Sequence, residues 1–151
     1  MILPNMIRMI EQHADSLTAE VVADLRSNPR TSYIRRKSTE ELERRAHDLF
    51  AHPGRFLTEK NEEELEQTFG ETARRLHDED APLSEVVSVI TVIKKHLWEF
   101  VKRSAPVDSI NDLYQLEEVS VLIGRFFDEA TYVAVRKYES IHKHWKDPRL
   151  M

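Results

Sequence analysis

A chain of 151 residues, 40% hydrophobic and 32% charged, is long enough for one domain with a buried core, and its balance suits amphipathic helices. A formal net charge of -5 argues against broad nucleic-acid binding, and the absence of cysteine excludes disulfides, thiolate metal sites and cysteine nucleophiles. Three glycines are few for a β protein, no apolar run approaches the roughly 20 residues that span a bilayer, and Met1-Ile2-Leu3-Pro4 lacks the features of a signal peptide, so the expected compartment is the cytoplasm.

In chain order, the first helix is expected from about Pro4 to Arg26. Pro4 suits a first turn, and Ile7, Ile10, Ala14, Leu17, Val21 and Leu25 step by three and four. Ser27-Asn28-Pro29 ends it, and Arg30 to Lys37 reads as a basic connector around Tyr33 and Ile34. A second helix opens at the capping box Ser38-x-x-Glu41 and buries Leu42, Ala46, Leu49 and Phe50. His52-Pro53-Gly54 breaks it, and Phe56-Leu57 anchor the way out. The third helix runs from Asn61 to His77 with Leu65, Phe69, Thr72, Ala73 and Leu76 on one face. Pro82 then forces a turn at Ala81, with Ser84 as the expected N-cap and Leu83 as its staple. The fourth helix, Ser84 to Ser104, carries the most apolar stripe: Val86, Val87, Ile90, Ile93, Leu97, Phe100 and Val101. Its β-branched residues are poor helix formers alone, so burial must hold it. Ala105-Pro106-Val107 stops it, and Asp108 or Ser109 caps a fifth helix reaching about Trp145, roughly 55 Å at 1.5 Å per residue.

The joint between the third and fourth helices also carries a family likeness. An Arg-rich helix with Arg74 and Arg75, an acidic turn, then Pro82-Leu83-x-Glu85-Val86-Val87 opening an apolar helix, with Arg26, Pro29 and Tyr33 upstream, resembles the RsbRD N-terminal domain family over about residues 7 to 140. That family often has glycine in the turn, where this chain has Asp80. The resemblance implies an all-helical sensory module of a bacterial signalling protein, standing before a histidine kinase, stress-regulator or similar output domain. It also implies a fold related to globin-like sensors, and hence haem as a cofactor to be weighed.

Several residues could carry chemistry. Ala46-His47-Asp48-Leu49 is similar to the opening of a histidine phosphotransfer motif, and His47 lies about a quarter-turn from the apolar stripe, exposed as a phosphoacceptor must be. Phe50 and Ala51 follow where that motif has lysine and glycine, so an ordinary surface histidine explains His47 more simply. His77 and His96 are the candidates for a ligand or haem contact, although both fall at the edges of their stripes. His142-x-His144 cannot share one ion on a helix, because residues two apart point away from each other, and no other spacing suggests a metal site. The acidic runs at residues 62–66 and 78–80 read as solvated faces. Arg74 could bind a ligand carboxylate or pair with Glu71 or Asp78. On the last helix Phe127, Tyr138, Ile141 and Trp145 broaden the apolar stripe beyond what one intramolecular contact needs, which predicts a homodimer through that helix.

The expectation is therefore an all-α fold, a single domain over residues 1–151. It is a globin-like, RsbRD-N-like bundle of about five main helices, with helix four the most buried and a long C-terminal helix over about 108–146 projecting toward an output domain or a dimer partner. The expected role is non-enzymatic sensing at the N-terminus of a histidine kinase or stress-response regulator, without cofactor, nucleic acid or membrane insertion. Its partners would be a second copy and a signalling protein or fused output domain. The two alternatives are a phosphotransfer module using His47 and a haem-binding globin-like sensor.

Overall fold

The stripe that reads as one helix from Pro4 to Arg26 folds as two, α1 (Ile2–Gln12) and α2 (Ala14–Ser27). The structure is a computed structural model describing residues 2–36, 39–57 and 62–146, without the side chains of Phe56 and residues 144–146. The break falls at His13, whose backbone leaves the helical region (φ -110°, ψ 17°) while its Nδ1 donates to the Met9 carbonyl oxygen at 2.8 Å. Each half then buries its own apolar residues, Met6 and Ile10 on α1 and Leu17, Val21 and Leu25 on α2.

The connector forms two 3-10 turns, Pro29–Thr31 and Ile34–Arg36. Asn28 caps the first by accepting the Arg30 amide at 2.9 Å, and Pro29 fills the position whose missing N–H costs nothing. Helix α3 (Glu40–Ala51) follows, capped at Thr39 with no side-chain bond. The expected capping box starts at Ser38, outside the described residues. Its other member, Glu41, pairs with Arg44, Arg45 and Arg75 through charge-assisted contacts. The break at His52-Pro53-Gly54 stands, and the short α4 (Gly54–Leu57) seats Leu57 in the core.

The third expected helix is one helical run with a widened middle: α5 (Glu62–Leu65), a π turn (Glu66–Gly70) and α6 (Glu71–Asp78). The π turn brings both Phe69 and Gly70 to the buried side, where Phe69 meets Phe126 and Phe127 edge-on at 5.7 and 6.2 Å. Helix α7 (Leu83–Ser104) starts one residue earlier than expected and is capped at Pro82, so Ser84 lies inside the first turn. Nine of its residues are buried, which makes it the central helix as its stripe predicts. Helix α8 (Ile110–Lys146) begins with the expected cap: Ser109 Oγ accepts the Asp112 amide at 3.1 Å, and the Asp112 carboxylate accepts the Asp108 amide at 2.9 Å.

Helix α8 packs against α1, α4, α5, the π turn, α6 and α7, so through most of its length it covers its own bundle. Phe127, expected at a dimer seam, is fully buried inside that bundle, because the widened turn carrying Phe69 presents an aromatic partner to it. Further along the helix, Tyr138 returns to its own chain by donating its hydroxyl to the Ala81 carbonyl. Among the described residues, the exposed large apolar side chains all lie on α8: Ile110, Leu113, Tyr114, Val121 and Tyr132.

Candidate functional site at the turn between α6 and α7

The turn at residues 79–82 is fixed from within by the end of α6. The Ala81 amide donates to the Leu76 carbonyl and the Asp80 amide to the His77 carbonyl, at 2.9 and 3.0 Å, with Asp80 in the left-handed region at φ 64°. This is the Schellman arrangement that usually takes glycine, and aspartate is among the few other residues that tolerate it. Pro82 then prevents the helix from continuing.

Two tyrosines grip the turn from opposite ends of the chain. Tyr33, on the connector, donates its hydroxyl to the Glu79 carbonyl at 2.7 Å. Tyr138, on α8, donates its hydroxyl to the Ala81 carbonyl, also at 2.7 Å. Burial, together with the nearby Asp80 charge, pushes the Tyr138 phenol above its ordinary range, so it stays a donor at neutral pH.

Glu85 completes the connector side. Its carboxylate is buried, 7% exposed, in the first turn of α7, and it accepts the Tyr33 amide with both oxygens at 3.0 and 3.1 Å and the Ile34 amide at 3.0 Å. An anion accepting the amides that open a 3-10 turn satisfies donors that burial would otherwise leave unmet. The two halves of the family-like pattern, around Tyr33 and around Pro82 to Glu85, therefore meet in space. Sequence reading passed over Glu85 as a binding residue. The available signal was its register: Glu85, Val89, Val92 and His96 share one face of α7 at spacings of four, three and four, and the first three are buried.

The expected ligand residues do not gather at one place. Arg74 is half-exposed and pairs with Glu71 at 3.7 Å, the intrahelical partner weighed for it. Arg75 links Glu79 at 3.4 Å to Glu41 across the groove to α3. His96 faces α2: Nε2 meets Asp24 at 2.8 Å and Nδ1 lies 3.7 Å from Glu20. Burial would raise the Asp24 carboxyl, but the His96 and Asn28 hydrogen bonds and the His96 and Lys95 charges outweigh it and hold it below the usual aspartate range. His47 meets Asp15 at 2.7 Å on the surface between α3 and α2. Of the expected dimer residues, Tyr138 is bonded to the turn, Ile141 is half-buried beside it, and the Trp145 side chain lies outside the described residues.

His77 does belong to the turn. Its side chain is 10% exposed, its ring lies edge-on to Tyr138 at 4.8 Å, and its Nε2 stands 3.3 Å from His142 Nδ1. Together with Asp78, Asp80 and Ile141 these residues line an open pocket of about 540 Å³.

The residues present do not fit a haem. Both ring nitrogens of His96 face carboxylates, and the His77 ring is packed between Tyr138 and His142. The apolar cavity between α3, the π turn, α6 and α7 measures about 10 Å³, the room of one water.

No helix among the described residues is long and apolar enough to cross a membrane. No curated protein and no solved structure is detectably similar to the chain. A family model matches residues 14–148, which takes in α2 to α8, both tyrosines and Glu85. The chain belongs to the family of the RsbT co-antagonist protein rsbRD N-terminal domain.

Proposed function

We propose that this regulatory signalling domain is the non-enzymatic, cytoplasmic sensor of a stress-response regulator or histidine kinase, and that it reports through α8. The observation that carries this reading is the Tyr138 hydroxyl on the Ala81 carbonyl, which ties the long helix to the turn that joins α6 and α7. A signal that shifts the turn changes which packing of α8 is favoured, a population shift between two arrangements. The family name describes a co-antagonist of RsbT, so an RsbT-type signalling protein is the class of partner expected of the assembly that contains this domain.

Transmission along a helix depends on its phase. Joined after Lys146 to a histidine-kinase output, the domain is expected to lose control of that output when two residues are inserted at the junction. Seven inserted residues restore the helical phase and should restore control. Control indifferent to both insertions would contradict signalling through α8.

A second copy is the expected structural partner. The seam would follow the outward face of α8, where Ile110, Tyr114, Val121 and Tyr132 lie within about 40° of one another at 100° per residue, rather than Phe127. Light scattering tests it: a mass near that of one 17.8 kDa chain up to high micromolar concentration would rule the dimer out.

A further inference from the structure

We infer that His77 and His142 form a proton-operated latch, which holds the end of α8 against α6 at neutral pH and releases it in acid. The inference rests on the reading that α8 reports, and it names the proton as an input to that helix. His77 Nε2 and His142 Nδ1 stand 3.3 Å apart in a hydrogen bond that joins residues 65 positions apart. Tyr138, whose hydroxyl ties α8 to the turn, packs on both rings. It stacks on His142 at 6.1 Å and 25° and lies edge-on to His77 at 4.8 Å.

A bond between two imidazole nitrogens needs one N–H and one lone pair. Two neutral rings supply them, and so do a neutral ring and a cation. Two cations do not: both facing nitrogens then carry protons, and two positive charges meet across 3.3 Å. The bond survives the first proton and fails with the second. Histidine is the side chain that takes up protons between about pH 8 and about pH 5.

The charged groups around the pair come from three places. On α6, Asp78 Oδ1 lies 3.9 Å from His77 Nδ1, the nitrogen that does not face His142, so this carboxylate does not stand between the rings. In the turn, Asp80 lines the same pocket, and Glu79 pairs with Arg75 at 3.4 Å. On α8, Glu139 and Lys143 are exposed and opposite in charge, and Lys137 pairs with Glu66 of the π turn at 3.4 Å. A doubly charged pair also has room to part. The half-exposed His142 lines the open pocket of about 540 Å³, into which its ring can swing toward water. That movement takes the stacked ring off Tyr138 and loosens the last turns of α8.

Native-state hydrogen exchange of the full chain at about pH 8 and about pH 5, corrected for intrinsic rates, tests the latch. Protection in the last turns of α8 should fall roughly fivefold or more at the lower pH, relative to Val92 and Ile93 of α7. The contact between α2 and α7 should hold, because a proton on His96 lies between Asp24 and Glu20, and Asp24 stays ionised there. His142→Phe keeps an aromatic ring beside Tyr138 but takes no proton, and His142→Gln keeps a polar group at this half-exposed position. In both variants the pH dependence should vanish, with circular dichroism verifying that each is folded. Equal relative protection of the parent at the two pH values, or a pH dependence kept in either folded variant, overturns the latch. An output indifferent to the junction insertions would instead contradict reporting through α8 and leave the latch standing.

Discussion

Tyr33 and Tyr138 each donate a hydroxyl to a backbone carbonyl of the same turn at 2.7 Å, yet their surroundings differ. On the Tyr33 side a buried carboxylate adds three backbone contacts, so connector, turn and α7 are locked together. On the Tyr138 side that one hydroxyl stands at the edge of an open pocket, with a histidine pair as its neighbour. In the proposed mechanism the difference separates a frame from a moving part. A joint meant to pass information to α8 has to be rigid where it is built and releasable where it reports.

The comparison breaks most sharply at Glu85. Glu85→Ala leaves the Tyr33 and Ile34 amides without their acceptor, and about 3 kcal/mol of stability should be lost. Urea unfolding followed by circular dichroism would read this as a lower midpoint at unchanged slope. Glu85→Gln keeps an acceptor oxygen and should cost clearly less.

On the other side, Tyr138→Phe removes one hydrogen bond and keeps the ring, so about 1 kcal/mol is expected by the same measurement. A loss as large as that of Glu85→Ala would erase the proposed contrast.

Acid sharpens the frame further. The Asp24 carboxyl is held below its ordinary value in the folded chain, so its contribution is present above about pH 4 and fades as pH falls through the folded value. His96→Gln removes the bond that lowers it. The variant's Asp24 should titrate at higher pH by carboxyl NMR, and its acid unfolding should begin earlier.

The smallest effect is expected at the turn itself. Asp80→Gly relieves the left-handed backbone but frees the unfolded chain, two opposing terms of about 1 kcal/mol, for a net change of roughly 0.5 kcal/mol or less. A loss above about 1 kcal/mol in thermal melts would mean that the Asp80 side chain has a role beyond tolerating φ 64°.

The frame was the more legible half. Six of the seven stripe residues expected on α7 are buried, and Val87 is partly so, because periodicity reports which face meets the core. The stripe is wider than read, since Val89 and Val92 are buried as well. Cap positions were less legible: Ser84 yields to Pro82, whose extended backbone already starts the helix. The break at His13 left no signal, because the apolar spacing runs through it unbroken. On the reporting side, Tyr138, Ile141 and His77 stood out in the sequence, but their partners did not. The partners of Tyr138 and His142 lie 57 and 65 residues away, and no local spacing encodes a contact between two helices that meet only after folding.

Native-state hydrogen exchange of the parent and Tyr138→Phe, read amide by amide, tests the division of the joint most directly. The variant should exchange roughly fivefold or more faster in the last turns of α8 and at Asp80 and Ala81, the factor carried by about 1 kcal/mol, while Tyr33 and Ile34 keep the parent's protection. Equal acceleration at Tyr33, Ile34 and the end of α8 would show that the turn opens as one unit, and would contradict a rigid frame with a releasable helix.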